Sequence, residues 1–176
     1  MERLTVRPFE EEEYHAFFRG YIPDPMMDAS PFTYNHEQIA CSYRYNHGGF
    51  RPDYAHYGAF LDQAPVGSLQ LKRMDREKRA CEFGIILQND QVKNRGIGTL
   101  AIRQLMEIAR DRHGMEIITG DTMGSNKRMI RVFEKLGFAL AETVPNAFER
   151  SDGKRDDRLV YRKKLTEETA SWPKQS

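Results

Sequence analysis

The stretch with the most chemical content runs Gln88-Asn89-Asp90-Gln91-Val92-Lys93-Asn94-Arg95-Gly96-Ile97-Gly98-Thr99. A polar loop leads into two glycines, and the glycines open a segment of helical periodicity. The first turn of a helix carries N–H groups without an intrahelical partner, together with a partial positive charge. Glycine lets a ligand come close to that backbone. The combination makes a site for phosphates, and Lys93 and Arg95 add positive charge at the same mouth. A glycine-rich helix entry that holds no ligand would have the same composition. The same residues also allow a dinucleotide reading: Gly96-Ile97-Gly98-Thr99-Leu100-Ala101 fits G-x-G-x-x-G/A, and Asp121 ends the next strand. That fingerprint wants its glycine turn directly after a strand and inside a run of βαβ units. Here a loop of several residues intervenes and no such run is present downstream.

Holding this mouth in place takes a sheet and flanking helices. Leu4 and Val6 alternate with polar neighbours and predict a strand over 3–8. Tyr14, Phe17 and Phe18 predict a helix over 10–20, and Pro23, Pro25 and Pro31 stop it from continuing. A second helix is expected over 36–46. Strands are expected over 57–61 and 66–73, joined by the turn Asp62-Gln63-Ala64-Pro65. In the second of these, Val66, Ser68, Gln70 and Lys72 share one face, and Gly67, Leu69 and Leu71 the other. Residues 80–88 complete the meander, and their near-continuous apolar run suits a central strand.

Ile97, Ala101, Leu105, Ile108 and Ala109 form an apolar stripe over 97–112. His113 and Gly114 come after it, as a cationic His and a C′ glycine would at a helix end. A strand over 116–122 comes next, then a helix over 126–136 with Met129, Ile130, Val132, Phe133 and Leu136 inward. Segments 138–148 and 157–165 pair as a hairpin around Ser151-Asp152-Gly153-Lys154. An antiparallel meander does not belong in a purely alternating α/β fold, so the class is α+β with a mixed sheet. Residues 1–165 read as a single domain and 166–176 as a polar, mobile tail.

Two linked blocks resemble the GNAT N-acetyltransferase superfamily. Its signature, Gln/Arg-x-x-Gly-x-Gly/Ala after the fourth strand, stands here as Lys93-Asn94-Arg95-Gly96-Ile97-Gly98, with Lys in the first place. The second block opens a helix with Asn126, continues to Phe133 and ends in Gly137-Phe138. One helix and one strand separate the blocks, and the resemblance covers about residues 3–165. The opening Leu4-Thr5-Val6-Arg7-Pro8-Phe9 and the closing hairpin look like the branch of ribosomal-protein and polyamine acetyltransferases. The resemblance implies a mixed, mostly antiparallel sheet of six to seven strands, acetyl-CoA as cosubstrate and an amine as acceptor, and it admits a homodimer. It places backbone groups of Ile86, Leu87 and Gln88 on the pantetheine arm and thioester. Residues 94–99, Thr99 included, would meet the pyrophosphate. Asn126 would contact the pantetheine, although Asn is also a favoured helix N-cap.

Acetyl transfer needs a neutral amine, and a lysine-like amine with pKa ~10.4 is mostly protonated at pH 7. A carboxylate can take the proton directly or through water. By resemblance, Glu82 occupies the base position of the histone acetyltransferase branch. Asp121 occupies that of the ribosomal-protein alanine acetyltransferase branch. A charge inside an apolar strand is costly unless paired, which makes Glu82 the first candidate and Asp121 the second. Many relatives carry a Tyr where Phe133 stands, and its hydroxyl protonates the departing thiolate. Phe133 has no proton to give, and its spacing with Met129 and Leu136 suits a core residue. Tyr21, Phe32, Tyr34, Tyr43, Tyr45 and Phe50 form an aromatic-rich region that either faces the acceptor or, the stronger reading, fills a small core. An acyl-CoA-binding sensor without turnover is the alternative outside catalysis.

Composition narrows the rest. With 176 residues, 39% hydrophobic and 30% charged, the chain suits one globular domain. A net charge of +1 argues against a nucleic-acid partner. The run Arg158, Arg162, Lys163 and Lys164 beside Asp156 and Asp157 reads as a solvated strand edge. Cys41 and Cys81 suggest neither a disulfide framework nor a zinc site, and the five histidines have no metal-ligand spacing. No window approaches the ~20 apolar residues of a membrane span, and the first residues lack a signal-peptide core, so a cytoplasmic location is expected.

Overall fold

The computed structural model describes residues 3–25, 30–93 and 95–166. The expected polar tail lies outside the described residues, apart from Thr166. In chain order the elements are β1 (Leu4–Arg7), α1 (Glu11–Arg19), α2 (His36–His47), β2 (Ala55–Leu61), β3 (Ala64–Asp75) and β4 (Ala80–Leu87). A 3-10 turn (Asp90–Val92) precedes α3 (Ile97–Asp111), β5 (Ile117–Met123), α4 (Lys127–Lys135), β6 (Ala139–Glu149) and β7 (Arg155–Lys164). All seven strands join one sheet in the order β1-β2-β3-β4-β5-β7-β6. Among the described residues only β4 and β5 run parallel, and α3 is the crossover that such a pair requires. The fold is α+β, as expected. Among the described residues, no helix is long and apolar enough to cross a membrane.

The sheet separates two cores. On one face, Leu69, Leu71, Phe83 and Ile118 pack with Ile102 and Leu105 of α3 and Phe133 of α4. On the other, α1 and α2 enclose Phe9, Tyr14, Phe17, Ile39 and Phe60, with Phe32, Tyr34 and Tyr43 against them. Most of the aromatic-rich region is thus a core, while Tyr45 and Phe50 are exposed. Local sequence explains the helix starts. Asn35 accepts from Gln38 N–H, and Glu13 reaches back to the backbone N–H of Glu10.

Three expectations change. The turn between β2 and β3 takes only Asp62 and Gln63, both left-handed at φ 46° and 74°, as a tight two-residue hairpin requires. Ala64 and Pro65 therefore pair with Leu61 and Phe60 inside the sheet. His113 is not a cationic helix terminus. Its Nε2 lies 2.7 Å from the Tyr57 hydroxyl, and burial pushes its pKa down. The basic run is not on a strand edge, because β7 lies between β5 and β6 and leaves β6 outermost. A hairpin is recognisable from its turn, but which of its strands joins the sheet depends on tertiary pairing.

Candidate functional site

β4 and β5 pair through Ala80 with Ile117, Cys81 with Ile118 and Glu82 with Thr119, and there the pairing stops. Beyond Glu82 the strands diverge, and among the described residues β4 has no strand neighbour on that side from 83 to 87. A cavity of about 480 Å³ occupies the wedge. Residues 83–87 form one wall, the start of α3 the second, and Asn126, Met129 and Val132 the third. Ile85, Ile86 and Leu87 are only half-buried despite being apolar, because each packs against one of the two cores and also lines this space.

The start of α3 explains the glycines. Gly96 is the N-cap and is left-handed at φ 76°, a conformation that favours glycine. Gly98 differs. A Cβ there would meet only Leu87 Cδ1, at 3.9 Å, and its φ is not left-handed. Glycine inside a helix costs about 1 kcal/mol relative to alanine, and nothing among the described residues requires it here. The space it leaves belongs to the cavity. Among the described residues no side chain caps α3, and no acid lies in its first turn. Its orphan N–H groups and dipole are directed at the cavity.

Lys93 also lines the cavity, but its ammonium is bound by Asp90 at 2.7 Å and Asp24 at 3.1 Å. Burial pushes its pKa down, and the two carboxylate contacts more than reverse this, so it stays charged. Asp24 also accepts from Arg128 at 2.9 Å. At this mouth Lys93 and Arg128 are matched by Asp90 and Asp24, so the side-chain charges that pair here are balanced.

The expected site residues divide clearly. Ile86, Leu87, Lys93, Gly96, Gly98, Thr99, Asp121 and Asn126 line the cavity. Asn126 is also the α4 N-cap, with Oδ1 accepting from Met129 N–H at 3.1 Å. Gln88 stands behind the wall: its N–H donates to Val66, its carbonyl accepts from Ile22, and its side-chain amide donates to Phe17 O at 2.9 Å. Gln88 thereby ties the end of α1 to β4. Arg95 is exposed and off the wall, and Ile97 is buried in the core. Asn94 lies outside the described residues. Phe133 is fully buried, stacked on Tyr161 at 4.5 Å and edge-on to Phe138, and does not reach the cavity.

The two acids differ in what they can do. Both oxygens of Glu82 accept from Arg73 Nη1 at 2.9 Å, and Glu82 is off the cavity wall. Asp121 lines the cavity and accepts from Arg158 Nε through Oδ2 at 2.8 Å. Among the described residues its Oδ1 has no hydrogen-bond partner. Lys72, Asp24, Thr122 and Arg131 also line the space and were not anticipated. Thr122 Oγ1 is buried without a partner among the described residues. Only the strand alternation that put Lys72 on the face opposite Leu69 and Leu71 hinted at any of them.

The model of the acetyltransferase (GNAT) domain matches residues 3–139. A search of curated proteins finds no match. Among solved structures, the chain is similar to a chimera of the spermidine N-acetyltransferase SpeG from Vibrio cholerae and hSSAT. The TM-score is 0.81 at 14% identity, over 96% of this chain and 99% of that one. It is also similar to RimL, the ribosomal L7/L12 alpha-N-protein acetyltransferase in complex with coenzyme A. There the TM-score is 0.77 at 16% identity, over 92% and 93% of the two chains. At such identities the neighbours establish a shared fold, and the domain match covers well over half of the sequence. The chain belongs to the GNAT family of acetyltransferases.

Proposed function

We propose that the wedge between β4 and β5 binds acetyl-CoA, and that this acetyltransferase passes the acetyl group to a small-molecule or peptide amine in a ternary complex. Residues 1–165 form a single domain, and it acts in the cytoplasm, as a monomer or homodimer, without nucleic acid or membrane. The observation that carries the reading is Gly98, a helix-interior glycine whose vacant side-chain space opens onto the cavity. In this reading the α3 backbone meets the pyrophosphate, and residues 85–87 line the pantetheine path. Asp121 Oδ1 receives the amine proton, directly or through water. The amine nitrogen attacks the thioester carbonyl, the C–N bond forms, the C–S bond breaks and the thiolate leaves. Direct transfer is supported by the cysteines: Cys81 is buried with its pKa pushed up to about 12, and Cys41 lies on α2.

Gly98→Asp tests the donor site. An acid in the first turn favours the helix, and the added Cβ has room, so the fold survives. The new charge faces the phosphates. Acetyl-CoA affinity is expected to fall more than roughly tenfold, about 1.4 kcal/mol. Unchanged affinity by calorimetry in a folded variant would refute the site. Tight acetyl-CoA binding with no acetylation of any amine would move the protein to a sensor role.

Phe133→Tyr tests whether an acid is needed on α4. A thiol of pKa ~8.5 is a tolerable leaving group near neutrality, so kcat is expected to change by less than roughly tenfold between pH 6 and 9. The buried hydroxyl should lower stability by about 1–3 kcal/mol. A larger gain in kcat would mean that the hydroxyl reaches the reacting sulfur.

A further inference from the structure

The basic run on β7 contributes to a charged shelf beside the cavity. Lys72 pairs with Glu82, Glu82 with Thr119 and Thr119 with Arg162, so one row crosses β3, β4, β5 and β7. Paired residues in a sheet point to the same side, and so does Asp121, two positions after Thr119. This is the face on which α1 and α2 cover β2 and β3. Arg73 is left-handed at φ 51°, at a register shift in β3, and its guanidinium turns onto Glu82. Arg158 holds Asp121. Four cations, Lys72, Arg73, Arg158 and Arg162, thus share this face with Glu82 and Asp121, each already bound by an arginine, and with Glu142, which pairs with Val160 next to Asp121. Among the described residues, neither Lys72 nor Arg162 makes an ion pair. Lys72 lines the cavity along with Asp121.

Resting on the acetyl-transfer reading, we propose that the acceptor is an amine bearing carboxylates close to the reacting nitrogen, such as the α-amine of an acidic peptide, and that Lys72 selects it. The surplus positive charge attracts an anionic approach and repels a polyamine, in proportion to the local potential. The shelf is partly exposed, so salt weakens the preference.

The test compares two peptides on the CoA-loaded protein, Ser-Asp-Glu-Ala and Ser-Lys-Arg-Ala, with spermidine as a third ligand. Calorimetry reads binding, and thiol release from acetyl-CoA reads transfer. At low salt the acidic peptide should bind at least roughly tenfold more tightly than either cation, and the gap should shrink near 0.3 M salt. Lys72→Glu should cancel or reverse the preference between the two peptides, and Lys72→Gln should fall between. Equal or tighter binding of the basic peptide or spermidine overturns the proposal, as does a preference indifferent to Lys72. Lys72-dependent binding of the acidic peptide without thiol release would leave this inference standing and remove the transferase reading. Preferred transfer to spermidine would do the reverse.

Discussion

Asp121→Asn is expected to lower kcat by roughly 10²-fold or more at pH 7, with Glu82→Gln losing much less. The reason is access. A general base must come within hydrogen-bond reach of the proton it takes, directly or through one water. Asp121 lines the cavity and keeps Oδ1 open while Arg158 holds Oδ2. Glu82 has both oxygens on Arg73 and stands off the wall. The asparagine oxygen can still accept from Arg158, so the strand keeps its partner and the loss falls on proton transfer. The deficit should shrink as pH rises towards the amine's own pKa, ~8 for a peptide α-amine and ~10.4 for a lysine-like one, where the substrate deprotonates unaided. The measurement is kcat against pH for both variants with a saturating amine. A crippled Glu82→Gln beside a near-normal Asp121→Asn would restore the order suggested by sequence.

The placement of the two acids shows where sequence reading works and where it stops. The glycine-rich mouth of α3 was legible because it is local: glycines, a helix start and a preceding polar loop lie within twelve consecutive residues. The paired strands carrying Glu82 and Asp121 were also legible, from their apolar runs. Which carboxylate enters the cavity was not, because that depends on where β4 and β5 part. Pairing ends at Glu82 and leaves Asp121 at the open part of the wedge. Lys93 has a similar history. Its charge was visible, but Asp24, which shares it with Arg128, lies 69 residues earlier in a proline-containing loop with no local sign of its role. Gln88 belongs to a strand end in sequence, and only the packing of α1 shows it as a strut.

Acid should unfold this protein earlier than its carboxylates alone would require. His56 is 5% exposed, with Nε2 2.6 Å from Ser68 Oγ and Nδ1 without a partner among the described residues. Its ring is surrounded by Phe9, Tyr14, Tyr54 and His47 at centroid distances of 5.1 to 6.1 Å. Burial, aided by the neighbouring His47, pushes its pKa down to about 3. Burial also pushes down His47, His15 and His113. In the unfolded chain each would titrate near ~6.5. Above that value neither state binds the proton and stability is unaffected. Below it, the unfolded chain gains protons that the folded chain refuses, so stability falls with pH down to the folded pKa. His56 alone should account for on the order of 2 kcal/mol by pH 5. The lowered carboxylates, Glu13 held by Arg7 and Asp156 held by Ser125, withdraw their contribution only as pH passes below the ordinary ~4.5. A decline between pH 6.5 and 5 is therefore a histidine signature. Thermal melts from pH 8 to 5 should show it in the wild type. His56→Gln, whose amide can donate to or accept from Ser68, should flatten it by about one proton's worth. A wild-type midpoint that stays level from 6.5 to 5 would mean that these imidazoles are protonated in the folded state, and that the layer under α1 and α2 is wetter than its packing indicates.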